Sequence, residues 1–320
     1  MNRRTFLTSL SAAALAGCRT SGVLQTGNAR DLRMSPRFHV FSKMFQPPVT
    51  RSPEELCALL KSAGVDGVQW TVRPGGHVTP ENVSVELPRL VKTASRFGLA
   101  CESICTAITP DGSLSSSKES EKNAQAVNIL KVAADCGIRQ FRTGYYFYDE
   151  KNESFEQSLN RIRKSFAALA ALGEETGVKA VYQNHSTWGP AIFGGVVWDI
   201  YTCIRDLDPR FIGVEYDPMH AYFETFESWR RGFELIAPWI AAIDLKDFRC
   251  KMHEKKKGHV AKNLVAAGQG IVPWKEVACR IAAREIDPFY IVHFEYDFDK
   301  TDLVQSVRKE ITTFRNALTS

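Results

Sequence analysis

Ile212-Gly213-Val214-Glu215-Tyr216-Asp217-Pro218-Met219-His220 is the stretch on which the reading of the chain turns. Its apolar start has the composition of a buried strand. Its end delivers a carboxylate and, three residues on, an imidazole. Side chains alternate along a strand, so Glu215 and Asp217 share a face, and a turn after Asp217 can swing His220 back toward them. A carboxylate and an imidazole at one strand mouth suit a divalent metal or a proton-transfer site. The plainer reading is an Asp that caps the following segment beside a surface His. The stretch alone leaves both open.

Working outward, eight strand-like apolar runs follow one another: 38–41, 67–72, 99–104, 138–143, 179–183, 211–216, 240–245 and 289–294. Helix-sized stretches separate them. The first has Ser52 as N-cap, Pro53 at the first helical position and Glu55 three residues after the serine. Leu56, Leu59, Leu60 and Ala63 then line one face, and Gly64 stops the helix. A later one repeats Leu159, Ile162, Phe166, Leu169 and Leu172 at helical spacing. Strands alternating with helices predict a parallel sheet, and eight units fit a closed α/β barrel, (β/α)8, in a single domain. An open doubly wound sheet is the alternative, weakened by the lack of a Gly-rich phosphate loop after the first strand.

In such a barrel the working residues collect at the C-terminal ends of the strands. Those ends carry Lys43, then Arg73 with His77, then Glu102 with Thr106, then Arg142. The fifth carries Gln183, Asn184 and His185, and the sixth Glu215, Asp217 and His220. The seventh carries Asp244, Lys246 and Asp247, and the eighth His293 and Glu295. Any one of these taken alone reads better as a packed or paired polar residue. Polar groups on every end are harder to dismiss, because charges are seldom left inside an apolar barrel without partners. Trp70, Tyr145, Tyr146, Phe147 and Trp188 stand at or just past strand ends, where rings stack on sugars or simply pack.

The chain has 320 residues, 44% hydrophobic and 24% charged, with net charge +5. That length supports one large core. Lys255-Lys256-Lys257 reads as a solvated loop, and no basic stripe interleaved with aromatics points to a nucleic acid. Asn2-Arg3-Arg4-Thr5-Phe6-Leu7 is a twin-arginine signature followed by a short apolar region. Leu15-Ala16-Gly17-Cys18 resembles a lipobox. The expected organisation is therefore a signal over 1–18, a tether over 19–37 and a barrel over 38–320. The mature chain is expected to be exported and held at a membrane only by lipid on Cys18, periplasmic or outer-membrane-anchored. The remaining seven cysteines, with no C-x-x-C pair, indicate neither a disulfide framework nor a zinc ribbon. Cys101 and Cys105 are expected on one face of one strand.

From about Phe38 onward, the strand ends resemble the xylose isomerase-like TIM barrel superfamily. Its members include sugar isomerases, ketose 3-epimerases, inosose dehydratases and abasic-site endonucleases. The resemblance rests on Tyr216-Asp217-Pro218-Met219-His220, Leu245-Lys246-Asp247, Gly268-Gln269-Gly270-Ile271-Val272-Pro273-Trp274 and Phe294-Glu295-Tyr296. Val72-Arg73-Pro74-Gly75-Gly76-His77-Val78 is similar to a loop of part of it.

It implies one divalent metal held by Glu, Asp, His and Glu. Carried over, Asp217 and Glu295 match, whereas Gln183 stands for a Glu and Asp244 for a His. A Gln183/Asp217/Asp244/Glu295 set is oxygen-rich and suits Mn²⁺ or Mg²⁺ better than Zn²⁺. The 3-epimerases of the family work with two carboxylates, and Gln183 cannot serve as one of them.

The implied activity is proton abstraction alpha to a carbonyl on a non-phosphorylated sugar or polyol, an isomerase or epimerase reaction. Glu295, Lys246, His185 and His220 are its candidate acid–base and electrophilic groups, and Lys246 suits a developing enolate oxygen. Lys43, Arg73, His77, Glu102, Arg142 and Trp188 are its candidate substrate contacts. Two other readings stand beside it: a lyase acting on 3-keto-glycosides, and a non-catalytic carbohydrate-binding lipoprotein.

Overall fold

The computed structural model describes residues 36–50, 52–111, 117–186, 191–252 and 260–319. The expected signal, Cys18, the tether up to residue 35, Trp188 and Lys255-Lys256-Lys257 lie outside them. Eight parallel strands close into a barrel: β1 (Phe38–Phe41), β2 (Gly67–Val72), β3 (Ser103–Thr106), β4 (Gln140–Arg142), β5 (Lys179–Gln183), β6 (Ile212–Tyr216), β7 (Ile240–Leu245) and β10 (Phe289–Val292). β10 returns to β1, with Phe38 opposite Tyr290, so the barrel has no free edge. This is the (β/α)8 architecture that the alternation of elements predicts.

The helices are α1 (Pro53–Ala63), α2 (Val83–Arg96), α3 (Ser117–Asp135), α4 (Phe155–Thr176), α5 (Val197–Ile204), α6 (Pro218–Thr225), α7 (Trp229–Ile236), α8 (Trp274–Ala283) and α9 (Leu303–Thr319). α1 begins where its signals say: the Ser52 hydroxyl accepts the Glu55 N–H, and Gly64 ends it at φ +83°. The main core buries Leu56, Leu60, Ile162, Phe166, Leu169, Val307 and Ile311 with outward-facing strand residues. A separate small cluster of Phe41, Cys105, Ala242, Phe289 and Ile291 belongs to the barrel itself.

Three details differ from the sequence reading. β3 starts at Ser103, later than the apolar run suggests, so Cys101 precedes it and shares no strand face with Cys105. Arg37 is already docked: its carbonyl accepts the Tyr290 N–H at 2.8 Å and its guanidinium meets Glu102 at 2.7 Å. Finally, an antiparallel hairpin of β8 (Asp247–Met252) and β9 (Val260–Val265) stands between β7 and α8. Most of its residues are partly or fully exposed, so it lacks the apolar run by which a buried strand is recognised. The seven described cysteines are free thiols. No helix among the described residues is long and apolar enough to cross a membrane.

Candidate active site

Asp217 caps the following helix and also faces the strand mouth. One carboxylate oxygen caps α6 by accepting the His220 N–H at 3.1 Å. The other lies 3.1 Å from the Lys246 ammonium. Asn184, just past β5, clamps the same spot: its amide accepts the Asp217 N–H at 2.7 Å and donates to the Asp217 carbonyl at 3.0 Å. His220 is no surface residue but buried to 2% exposure. The turn through Pro218 brings its ring back over the barrel mouth.

Lys246 is the centre of the site. Its Nζ lies 3.1 Å from Asp217 Oδ2, 3.3 Å from Glu295 Oε2 and 3.2 Å from His220 Nε2. The ammonium donates to His220 Nε2, which places the imidazole proton on Nδ1. That nitrogen donates to the Ser186 hydroxyl at 2.7 Å. Lys262, carried in by β9, donates to the same hydroxyl. Burial works against the Lys246 charge, but Asp217, Glu295 and Asp244 outweigh it and raise its pKa. Burial likewise works against Glu295, but Lys246 and His293 hold its carboxyl well below the usual range. His220 is pushed well below its ordinary value by burial and then Lys246, and His185 falls to about 3 for the same two reasons. Both imidazoles are therefore neutral at pH 7. Their ring centres are 3.8 Å apart.

Beneath this layer lies a second one. Gln183 accepts the Tyr145 hydroxyl through its amide oxygen and directs its NH₂ to Asp217 and Asp244. Glu215 pairs with Arg142 at 3.2 Å and accepts from Gln69 at 3.0 Å. The Arg142 guanidinium stands 4.5 Å over Phe41. His293 Nε2 is 3.1 Å from Asp244. Burial raises the pKa of both Glu215 and Asp244, each reinforced by a neighbouring carboxylate.

The metal question divides between these layers. The carried-over set of Gln183, Asp217, Asp244 and Glu295 does not fit an ion as it stands, because Lys246 bridges Asp217 and Glu295 and Gln183 presents N–H donors. Among the described residues, Glu215, Asp244 and His293 do offer ligand atoms within 4.8 Å of one another, so this buried triad could bind a metal ion.

The other expected contacts separate. Arg73 is half-buried beside Cys105, and Lys43 is close enough to Glu295 to help depress its carboxyl. His77 is held by Ser42 and Thr71 hydroxyls at 3.2 and 3.0 Å. Arg142 is a buried support beneath the mouth, not an exposed contact. Glu102 is a correction: it precedes β3 and meets Arg37 and His39 at the opposite, N-terminal mouth. The strand begins only at Ser103, so Glu102 lies before it and not at its end. Trp70 and Tyr146 are core residues, and Phe147 is exposed.

The Leu245-Lys246-Asp247 and Gly268–Pro273 motifs belong together. The Asp247 carboxylate accepts from the N–H groups of Phe248, Gly268, Gly270 and Val272 at 2.9–3.2 Å. A Cβ on Gly270 would stand 1.8 Å from Asp247 Oδ1, which explains the glycine. Asp247 thus pins the backbone beside Lys246 and closes the base of the hairpin. Lys262 and Ser186 escaped the sequence reading. Lys262 stands on a partly exposed strand with no period to reveal it, and Ser186 had only its place next to His185.

No curated protein matches the sequence. Solved structures share the fold at low identity. The 3-keto-D-glucoside 4-epimerase of E. coli is 12% identical, with a TM-score of 0.65 over 88% of this chain and 99% of that one. The probable 3-DHS dehydratase AsbF of Bacillus anthracis is 14% identical, with a TM-score of 0.64 over 86% and 98%. A xylose isomerase-like TIM barrel protein from Mycobacterium smegmatis in complex with magnesium is 12% identical, with a TM-score of 0.60 over 89% and 98%. The family profile described as xylose isomerase-like TIM barrel matches residues 57–316, and with the closed parallel barrel this places the chain in that family.

Proposed function

We propose that the protein is an isomerase or epimerase-like enzyme of non-phosphorylated sugars or polyols, acting by proton abstraction next to a carbonyl. The observation that carries this reading is the pairing of one reachable carboxylate with a buried ammonium. Glu295 is 24% exposed, whereas Asp217 is fully buried and Lys246 shows 3%. Glu295 is the base, its basicity recovered as Lys246 turns its N–H from Oε2 to the substrate oxygen: one of its oxygens takes the proton, the C–H electron pair becomes the enediolate double bond, and oxygen gains the charge. Lys246 donates to that oxygen. His220 is neutral and orients Lys246, and His185 packs behind it. Arg73, Lys43 and His77 are assigned to substrate hydroxyls at the rim.

Gln183 is committed to Tyr145, Asp217 and Asp244, so a second base is lacking on its side. One-base chemistry follows, an aldose–ketose shift or an elimination, in place of a two-carboxylate epimerisation. The probable dehydratase among the structural relatives is in keeping with an elimination, and the 3-keto-D-glucoside 4-epimerase with a keto-glycoside substrate. The lyase on 3-keto-glycosides is thus the second reading, favoured by the same committed Gln183. A non-catalytic sugar-binding lipoprotein is the remaining one. Metal assistance by Mg²⁺ or Mn²⁺ belongs to Glu215, Asp244 and His293, two carboxylates and a neutral imidazole, where an ion would balance charge beneath the reacting layer. The N-terminal signals support export and a lipid on Cys18.

Keto-sugars and 3-keto-glycosides incubated in D₂O test the assignment. Turnover with deuterium entering the carbon alpha to the carbonyl is expected. Lys246→Met should lower kcat by about 10²–10³-fold with a smaller change in KM. Binding of sugars without exchange, unaffected by Glu295→Gln, would favour the binding protein instead.

A further inference from the structure

Two carboxylates and an imidazole, from Asp217, Glu295 and His220, converge on one point. That composition is a donor set that divalent ions take. Here the point is held by Lys246 Nζ, at 3.1, 3.3 and 3.2 Å from the three groups. The lysine is not a visitor from a loose loop. It sits directly after β7, its side chain is 3% exposed, and the next residue is pinned by four backbone hydrogen bonds to the Asp247 carboxylate. The neighbours also turn donors toward this place. Gln183 directs its NH₂ to Asp217, and its oxygen is taken by Tyr145. Lys262 adds a second ammonium at Ser186, one hydrogen bond from His220.

We propose that the Lys246 ammonium is the resident cation of this mouth, standing where a divalent ion would otherwise sit. Asp217, Glu295 and His220 then form a latent metal site that the native chain keeps closed. A lysine supplies one positive charge and a directed N–H, and it polarises a carbonyl oxygen by hydrogen bonding where an ion would do so by coordination. The buried Glu215, Asp244 and His293 triad lies in the layer beneath this mouth, linked to it through Gln183, and an ion held there is compatible with the proposal. The catalytic meaning rests on Lys246 as electrophile in the reading above. The occupancy does not, and it is tested without turnover.

The test is Mn²⁺ titration of the full chain, followed by electron paramagnetic resonance of free Mn²⁺ and by calorimetry, after dialysis against chelator. Wild-type binding, at whatever stoichiometry, is expected to be the same within twofold in Asp217→Asn. Lys246→Ala is expected to gain one site per chain, and adding Asp217→Asn to it should remove that site. Tenfold weaker Mn²⁺ binding in Asp217→Asn alone would overturn the proposal, because an ion would then be displacing the lysine. So would a folded Lys246→Ala that gains no site. Lys246→Met keeps the aliphatic stem if the alanine variant fails to fold, and the native-chain comparison needs neither. Failure of the sugar assay with the expected Mn²⁺ pattern would sink the enzymatic reading and leave the occupancy standing.

Discussion

The two mouths of the barrel carry similar residue types and put them to different use. At the N-terminal mouth, Glu102 meets Arg37 at 2.7 Å and His39 at 3.2 Å, with Arg37 42% exposed and Glu102 27% exposed. At the C-terminal mouth, Lys246 and Arg142 face four carboxylates, three of them fully buried. Solvent screens the Arg37–Glu102 pair, whose members water could serve in place of one another, although His39 beside it is buried. The second set has no such substitute, so its members hold one another in fixed positions. Similar residue types form a partly solvated surface pair at one end and a buried, mutually fixed charge network at the other.

Arg142→Met presses this comparison hardest. It leaves Glu215 buried beside Asp244 without its cation, a change of the kind that costs about 3–5 kcal/mol. Glu215 can take up a proton, so the expected loss is about 3 kcal/mol in urea unfolding. A loss below 1 kcal/mol would mean that the interior layer is as well solvated as the outer pair.

Gly270→Ala comes next. Its Cβ would strike the Asp247 carboxylate and the Phe248 amide. A loss of about 1–3 kcal/mol is expected, together with weaker catalysis as Lys246 shifts. An unchanged kcat would show that the Asp247 clasp holds only the hairpin.

The smallest effect belongs to the N-terminal mouth. Glu102→Gln is expected to cost no more than about 1 kcal/mol and to leave catalysis unchanged. The contact with the His39 ring at 3.2 Å, and after it the Arg37 guanidinium, depress the Glu102 carboxyl despite its partial burial. A depressed folded pKa contributes stability above the ordinary carboxylate value, and that stability fades as pH falls through the lower one. The wild-type and Glu102→Gln unfolding midpoints should therefore converge on acidification below about pH 4. Loss of kcat in this variant would contradict its placement at the far mouth.

Much of this was legible in the residues. The strands of Phe38–Phe41, Gly67–Val72, Lys179–Gln183 and Ile240–Leu245 are where their apolar runs put them. Parity paired Asp244 with Lys246 and His293 with Glu295, and these side chains do meet around one mouth. The third strand misled because Leu99 and Ala100 extend the apolar run before pairing begins at Ser103. The hairpin was invisible because a partly exposed ribbon has no core face to impose a period.

Sequence by itself determined the barrel and the list of polar strand ends, because caps, glycine stops and hydrophobic period are local properties. Tertiary structure alone decided what those ends do. That Lys246 stands among Asp217, Glu295 and His220, that Gln183 turns its NH₂ inward, and that Glu102 belongs to the other mouth all depend on barrel closure and strand register. Charges far apart along the chain become partners only when the ring shuts and water is excluded from between them.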